Sequence, residues 1–514
     1  MVAKLFRKKS DSSSASTEPT GGPTATTHTL SAALAATLVF VASGAVLVLE
    51  ILAVRLLAPY VGLTLETTTS IIGAALAGIA VGAAAGGWLA DRVDERKLLA
   101  VLFIVAGLLA LLIVPLVRML GPGARDGGDI AALGVTLITL VPPAAVLSAV
   151  TPTVARLRLH NLGNTGSIVG GISAWATAGA LVGTFGTGFV LVPLVPISAS
   201  VLGIGVVLAL IGALLAVRTA KLGPTTGVVV VVGTLALGAL TATIQTPCDR
   251  ETDYHCVNVE VDPMVASGRT LLLDDVLHSY VDLDDPAHLE YAYTQWIADG
   301  IDGSNADSEP LDVVFVGGGG FTLPRWLQAT RPGSTAKVLE VDGDLVEVVR
   351  EKLGLRENAG LTVAVGDART TLRDLPTDSA DVIVGDAFGT YAVPWHLATT
   401  EWAEEVKRVL RPGGLYALNV IDFPPLELLR AEAATLLEVF DDVRLVTMPD
   451  GELNPAGGNG ILLASDRALP PPVGSGEFGE IILDRDQVVS FAGEAEPLRD
   501  DFAPADQQLT IPFD

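Results

Sequence analysis

The stretch DVVFVGGGGFTLPRW, Asp312 to Trp326, decides how the second half of this chain folds. Strand-forming residues run straight into four consecutive glycines, and the residues after them begin a helix. Glycine adopts backbone angles that other residues avoid and lets a ligand approach the main chain, while the next helix offers its N-terminus. The dinucleotide spacing G-x-G-x-x-G is not met, because its third glycine would fall at Thr322. A ligand loop is expected, and its ligand has to be read from its neighbours.

Those neighbours are strands. DVVFV (312–316), AKVLEV (336–341), LTVAV (361–365), DVIVG (381–385), GLYALNV (414–420), VRLVTM (443–448) and GILLAS (460–465) alternate with amphipathic pieces such as DLVEVVREKLG. Strand–helix alternation with short loops predicts a doubly wound, parallel α/β sheet. Ligands of such sheets bind beyond the carboxyl ends of the strands, at the switch in strand order. Three acids are expected at those ends: Glu340, Asp367 in VGDAR, and Asp386 in VIVGDAF. Each could also be a solvated strand end or a helix cap. Together with Gly317, Gly318 and Gly319 they point to a nucleoside site, with Glu340 placed to accept from ribose hydroxyls.

Upstream the composition changes. Residues 1–248 carry a net charge of about +5 and residues 249–514 about −31, within a total of −26. A bilayer core needs about 20 apolar residues per helix. Seven such spans are expected, at about 30–53, 67–90, 97–118, 130–153, 166–190, 195–217 and 225–244. Small residues fill several of them, which suits close helix packing in lipid. Lys4, Arg7, Lys8, Lys9, Arg92, Arg96, Lys97, Arg156, Arg158, Arg218 and Lys221 fall in alternate connections. The positive-inside rule then predicts a multi-pass cell-membrane protein with a cytoplasmic N-terminus and an external acidic half.

The domains expected are a disordered cytoplasmic tail (1–28, with no cleavable signal pattern), a polytopic all-α membrane domain (29–246), and a small β cap (247–308). The α/β domain (309–468) and a loosely packed acidic Pro/Gly-rich tail (469–514) follow. The two cysteines, Cys248 and Cys256, stand beside the membrane, where a disulfide is expected in oxidising surroundings. Two free thiols, or a zinc site using His255, are the alternatives, and the zinc site lacks a second ligand cluster.

LLLDDVLHSYVDLDDPAHLEY, VVFVGGGGFTLPR, VLEVDGDLVEVV, VGDARTTL, VIVGDAF, VPWHL and RVLRPGGLYALNV together resemble the spermidine synthase (polyamine aminopropyltransferase) family, in its membrane-fused bacterial form. The resemblance covers about 254–466. It implies a methyltransferase-like (Rossmann-type) sheet and an enzyme moving an aminopropyl group from decarboxylated S-adenosylmethionine, the co-substrate, to a diamine such as putrescine. Carried over, Glu340 would hold the ribose and Asp367, with Ala368, the adenine. His278 would touch the nucleoside where the family has glutamine, and Asp386 would orient and deprotonate the attacking amine. His288, Tyr291 and Tyr391 would lie near the diamine.

The departures concern the polyamine side. The family loop is typically GGGDG, and here Gly320 and Phe321 replace its Asp-Gly; a second acid is missing near Tyr391. Asp422 and the cap acids Asp282, Asp284 and Asp285 are further proton acceptors to consider, although surface charge is the favoured reading of the cap acids. Expected partners are a diamine or polyamine, the bilayer and a second copy of the chain as a homodimer; nucleic acid and metal are not expected. An S-adenosylmethionine-dependent methyltransferase and a catalytically silent nucleoside- or polyamine-binding module remain open beside the aminopropyltransferase.

Overall fold

The fold is described from a computed structural model, which describes residues 31–61, 65–126, 128–159, 165–218, 224–244, 248–304, 309–358, 360–389, 394–448, 458–470 and 478–509. Its first half is helical: α1 (Ala32–Val61), α2 (Leu65–Ala90), α3 (Glu95–Asp126), α4 (Gly128–Ser148), α5 (Val150–Arg158), α6 (Thr165–Gly186), a short α7 (Val192–Leu194), α8 (Ile197–Arg218) and α9 (Pro224–Thr243). Six spans among the described residues are long and apolar enough to cross a membrane. The expected seventh coincides with α9, whose described apolar stretch is Val230–Thr241.

Helices α3 and α8, α2 and α4, and α1 and α6 form the closest pairs. Small residues make that approach feasible: a Cβ on Gly82 would lie 2.0 Å from the Ala145 carbonyl. At one end of the bundle Arg156, near the end of α5, pairs with Asp91 just after α2 and with Glu95 at the start of α3.

The β cap is a four-stranded antiparallel sheet: β1 (Arg250–Glu251), β2 (Cys256–Val261), β3 (Gly268–Leu273) and β4 (Val276–Asp282). Cys248 and Cys256 form a disulfide at its entrance. A helix, α10 (Ala292–Ser304), follows within the segment expected to be cap.

The acidic half then alternates: β5 (Asp312–Val316), α11 (Thr322–Thr330), β6 (Thr335–Glu340), α12 (Gly343–Lys352), β7 (Leu361–Val365), α13 (Ala368–Arg373), β8 (Ala380–Gly385), α14 (Thr400–Val409), β9 (Leu410–Asp422), α15 (Glu427–Val439), β10 (Asp442–Thr447) and β11 (Gly458–Ser465). The last elements are β12 (Ile481–Leu483), α16 (Arg485–Ala492) and α17 (Ala505–Gln508). Eight strands lie in the order β12-β10-β11-β9-β8-β5-β6-β7. Both faces are covered, which is why a strand such as DVVFV is apolar from Val313 to Val316. Val313 and Phe315 join the core on one face, Val314 and Val316 that on the other.

Two expectations need correction. Only β5 to β9 pair in parallel; β10, β11 and β12 run antiparallel, with β11 inserted between β9 and β10. Strands β10 and β11 pair directly with one another, and antiparallel pairing requires no helical crossover. The described residues after 469 are not loosely packed either: β12 extends the sheet, and Val488 and Leu498 are buried against α15 and its neighbours.

Candidate active site

Strand order reverses beside β5: β6 and β7 build outward on one side, β8 and β9 on the other. The glycine loop leaves β5 at that point, next to the residue that ends β8. Gly317 has φ +94°, and a Cβ there would stand 2.2 Å from the Asp386 carbonyl, so only glycine fits. Phe321 also takes a left-handed backbone, at φ 60°, with its ring fully buried. That is a strained conformation for a bulky residue. Its ring fills the space beside Gly318, where a Cβ would meet it at 2.8 Å.

Glu340 ends β6 and is tied down at both oxygens. The Gly318 amide donates to Oε2 at 2.7 Å and the Asp342 amide to Oε1 at 2.9 Å. Burial pushes its carboxyl above the usual range, against the pull of those two amides. Gly320, standing where an acid was expected from the family pattern, donates its amide to Ser279 Oγ at 3.0 Å.

Asp386 is held by neutral groups. Asn419 on β9 donates to Oδ1 at 2.8 Å and Tyr293 on α10 to Oδ2 at 3.4 Å. Asn419 in turn accepts from Asn459 on β11 at 2.9 Å. Burial raises the Asp386 pKa, and the two donors only partly offset it. Burial and the Asp386 charge hold the Tyr293 hydroxyl well above its ordinary value.

His278 sits across the loop on β4, its Nδ1 3.5 Å from Ser279 Oγ. Burial, helped by the nearby His255, lowers its pKa to about 4, so the ring is neutral at physiological pH. His278, Tyr293 and Asp386 line a small pocket over Gly317–Gly319, and the same three line an adjoining cavity of ≈ 560 Å³. Ligand cavities commonly fall between about 300 and 1,000 Å³. Apolar residues from the cap and the sheet edge, among them Leu277, Trp296, Phe388, Ile421 and Met448, form much of its wall.

The expected residues divide accordingly. Glu340, Asp386, His278 and the glycines converge, and Tyr291 lines the larger cavity. Asp367 follows β7 and caps α13, where Ala368 is the first residue; its other oxygen meets His396 Nε2 at 2.9 Å. Both the capping role and a strand-end position therefore hold for it. His288 does not itself line the cavity, but its ring pairs at 2.9 Å with Glu290, which does. Asp422 is buried and accepts from the Phe423 amide and from the Leu429 amide in the first turn of α15, and Asp282 accepts from the amides of Asp284 and Asp285 in the following turn. Tyr391 lies outside the described residues.

Tyr293, Asn419 and Asn459 were not anticipated. A signal existed for one of them: Asn419 is the lone polar residue in the apolar run GLYALNV, and a polar side chain in a buried strand needs a partner.

No family model matches the chain. Among curated proteins, the polyamine aminopropyltransferase of Vibrio vulnificus is 27% identical over 164 residues, 32% of this chain and 52% of that protein. A probable spermidine synthase from Corynebacterium glutamicum, a solved structure, is 27% identical with a TM-score of 0.47, and the match covers 52% of this chain and 100% of that one. The acidic half of the chain is similar in sequence to polyamine aminopropyltransferases. The eEF1A lysine and N-terminal methyltransferase of Danio rerio is 28% identical over 131 residues, 24% of this chain and 19% of that protein. The chain thus spans about half the length of the curated aminopropyltransferase and a fifth of the methyltransferase. The acidic half has the mixed Rossmann-type sheet, and a helical region with six apolar spans among its described residues precedes it.

Proposed function

We propose that the chain is a membrane-anchored aminopropyltransferase that uses decarboxylated S-adenosylmethionine and a diamine such as putrescine. The observation that carries this reading is the shared wall: His278, Tyr293 and Asp386 face both the glycine-loop pocket and the larger cavity. A donor over Gly317–Gly319, with its ribose on Glu340 and its adenine toward Asp367 and Ala368, would present its sulfonium to an amine in that cavity. The amine lone pair attacks the methylene carbon beside sulfur. The carbon–sulfur bond breaks, sulfur keeps the electron pair, and neutral methylthioadenosine leaves. The proton released from the amine goes to Asp386. A free alkylamine has a pKa near 10.4, so a nearby acceptor is required at neutral pH.

Methyl transfer from S-adenosylmethionine is the second reading. Gly320 favours it, standing where the family carries an acid for the aminopropyl ammonium, as does the methyltransferase among the relatives. A silent binding module is the third reading, and the proposed placement of the domain bears on it.

That placement is external. It is supported by contacts of the segment after α9 with Arg55 of α1, Arg118 of α3 and Ser198 of α8, the ends opposite Arg92, Arg96, Lys97 and Arg156. The disulfide supports it too. Nucleoside donors are scarcer outside a cell, which is what favours the silent module. A homodimer and contact with lipid belong to the same proposal.

Calorimetric titration of the full chain with methylthioadenosine and with S-adenosylhomocysteine tests the donor. Tighter binding of methylthioadenosine supports aminopropyl transfer, preference for S-adenosylhomocysteine supports methyl transfer, and binding of neither removes the nucleoside site.

A further inference from the structure

The segment entering the β cap grips the membrane helices with one set of side chains and the donor loop with another. On the membrane side, Glu251 accepts from the Ser198 amide at 3.1 Å and its hydroxyl at 2.5 Å, and pairs with Arg118 at 3.5 Å. Arg55 donates to the Asp253 carbonyl and lies 5.4 Å from the centre of the Tyr254 ring. On the other side, the buried Thr252 donates its hydroxyl to Asp342 Oδ2 at 2.6 Å. Asp342 caps α12, and its amide donates to Glu340. The disulfide from Cys248 to Cys256 closes this turn, and the Cys256 amide donates to Asp274 at 2.9 Å.

We infer that the membrane helices position Glu340 through residues 248–256, with Thr252 as the positioning residue that sets Asp342. This rests on the reading of Glu340 as the donor-binding acid. The coupling is stiff for physical reasons. Arg118 and Glu251 form a largely buried ion pair, and loss of either partner leaves the other charge uncompensated. Thr252 and Asp342 are both buried, so removing the hydroxyl leaves an Asp342 oxygen without that donor. The carboxylates of Asp342 and Glu340 then anchor the amides of Gly318, Asp342, Asp344 and Leu345, which makes the effect measurable at the loop itself.

The test uses the full chain in lipid nanodiscs, as wild type, Glu251→Gln, Thr252→Val, Thr252→Ser and the Glu251→Gln/Thr252→Val double variant. Two readouts are taken: hydrogen exchange of those four amides, and affinity for methylthioadenosine. Glu251→Gln, whose side chain reaches the membrane helices, is expected to speed exchange at the four amides and weaken binding about five- to tenfold, the lower part of the range for coupled sites. Thr252→Val does the same, Thr252→Ser restores both, and the double variant is no worse than the larger single effect. Unchanged exchange at these amides in Glu251→Gln, or additive losses in the double variant, overturns the inference. A wild type that binds no methylthioadenosine refutes the donor reading instead, and the exchange data still decide whether the junction is coupled to the loop.

Discussion

The side-chain amide of Asn419 donates to Oδ1 of Asp386 at 2.8 Å, from the strand alongside. Its own carbonyl is engaged by Asn459, so the amide cannot turn away without breaking two bonds. Asp386 is thereby aimed by neutral groups while burial keeps its pKa raised. A carboxylate with a raised pKa is a stronger proton acceptor and is ready for a cationic amine.

Asn419→Ala removes a donor that lowers the Asp386 pKa, so that pKa moves further up. Activity, which requires the ionised form, rises with pH through the Asp386 pKa. The acidic limb of the kcat/KM profile is expected to shift to higher pH in the variant, with a smaller change at the alkaline plateau. An unshifted limb would mean Asp386 is not the group that titrates.

Glu340→Gln replaces an acceptor of two backbone amides with a group that also presents N–H donors. One of the Gly318 and Asp342 amides then lacks its partner, at about 1–3 kcal/mol. Methylthioadenosine affinity is expected to fall at least about tenfold, the equivalent of 1.4 kcal/mol. Isothermal titration of the variant reads this directly, and wild-type affinity would remove Glu340 from the site.

His278 contributes a pH dependence of stability with a definite sign. Its folded pKa, about 4, lies below the ordinary 6.5, so its contribution is fully present above pH 6.5 and is lost as pH falls toward 4. His278→Gln carries no such proton. Thermal melts between pH 7 and 4 are expected to fall less steeply in the variant, and parallel curves would contradict a neutral imidazole at this site.

Gly317→Ala meets two obstacles, a φ of +94° and a carbonyl 2.2 Å from the new methyl group. Strain of this kind costs on the order of 1–3 kcal/mol. The variant is expected to melt lower and to lose nucleoside binding with it; unchanged values for both would mean the loop rearranges freely.

What the sequence made legible was local. The glycine run, the acids at successive strand ends and the long apolar spans are each contained within one segment, and the structure puts those segments where their periodicity implied. The side-chain partners of Asp386 come from a helix and a strand far apart in sequence, and Asn459, which fixes Asn419, comes from a further strand, so no single window contains them. The antiparallel edge was equally hidden, because a buried strand is apolar in either direction. His288 and Tyr291 are close in sequence yet differ in their relation to the cavity: Tyr291 lines it directly, whereas His288 reaches it only through its pairing with Glu290. Thr252 could not be seen as a contact of Asp342 without the fold that brings residues 90 positions apart together.

The central claim is aminopropyl transfer with Asp386 as the proton acceptor. The most direct test incubates the full chain, and its Asp386→Asn variant, with putrescine and either decarboxylated or intact S-adenosylmethionine, and follows the products by mass spectrometry. The account predicts methylthioadenosine and spermidine from the decarboxylated donor. In the variant their rate falls about 10²- to 10⁴-fold, the usual contribution of a general base, while methylthioadenosine still binds. S-adenosylhomocysteine from the intact donor, or turnover that Asp386→Asn leaves unchanged, would contradict it.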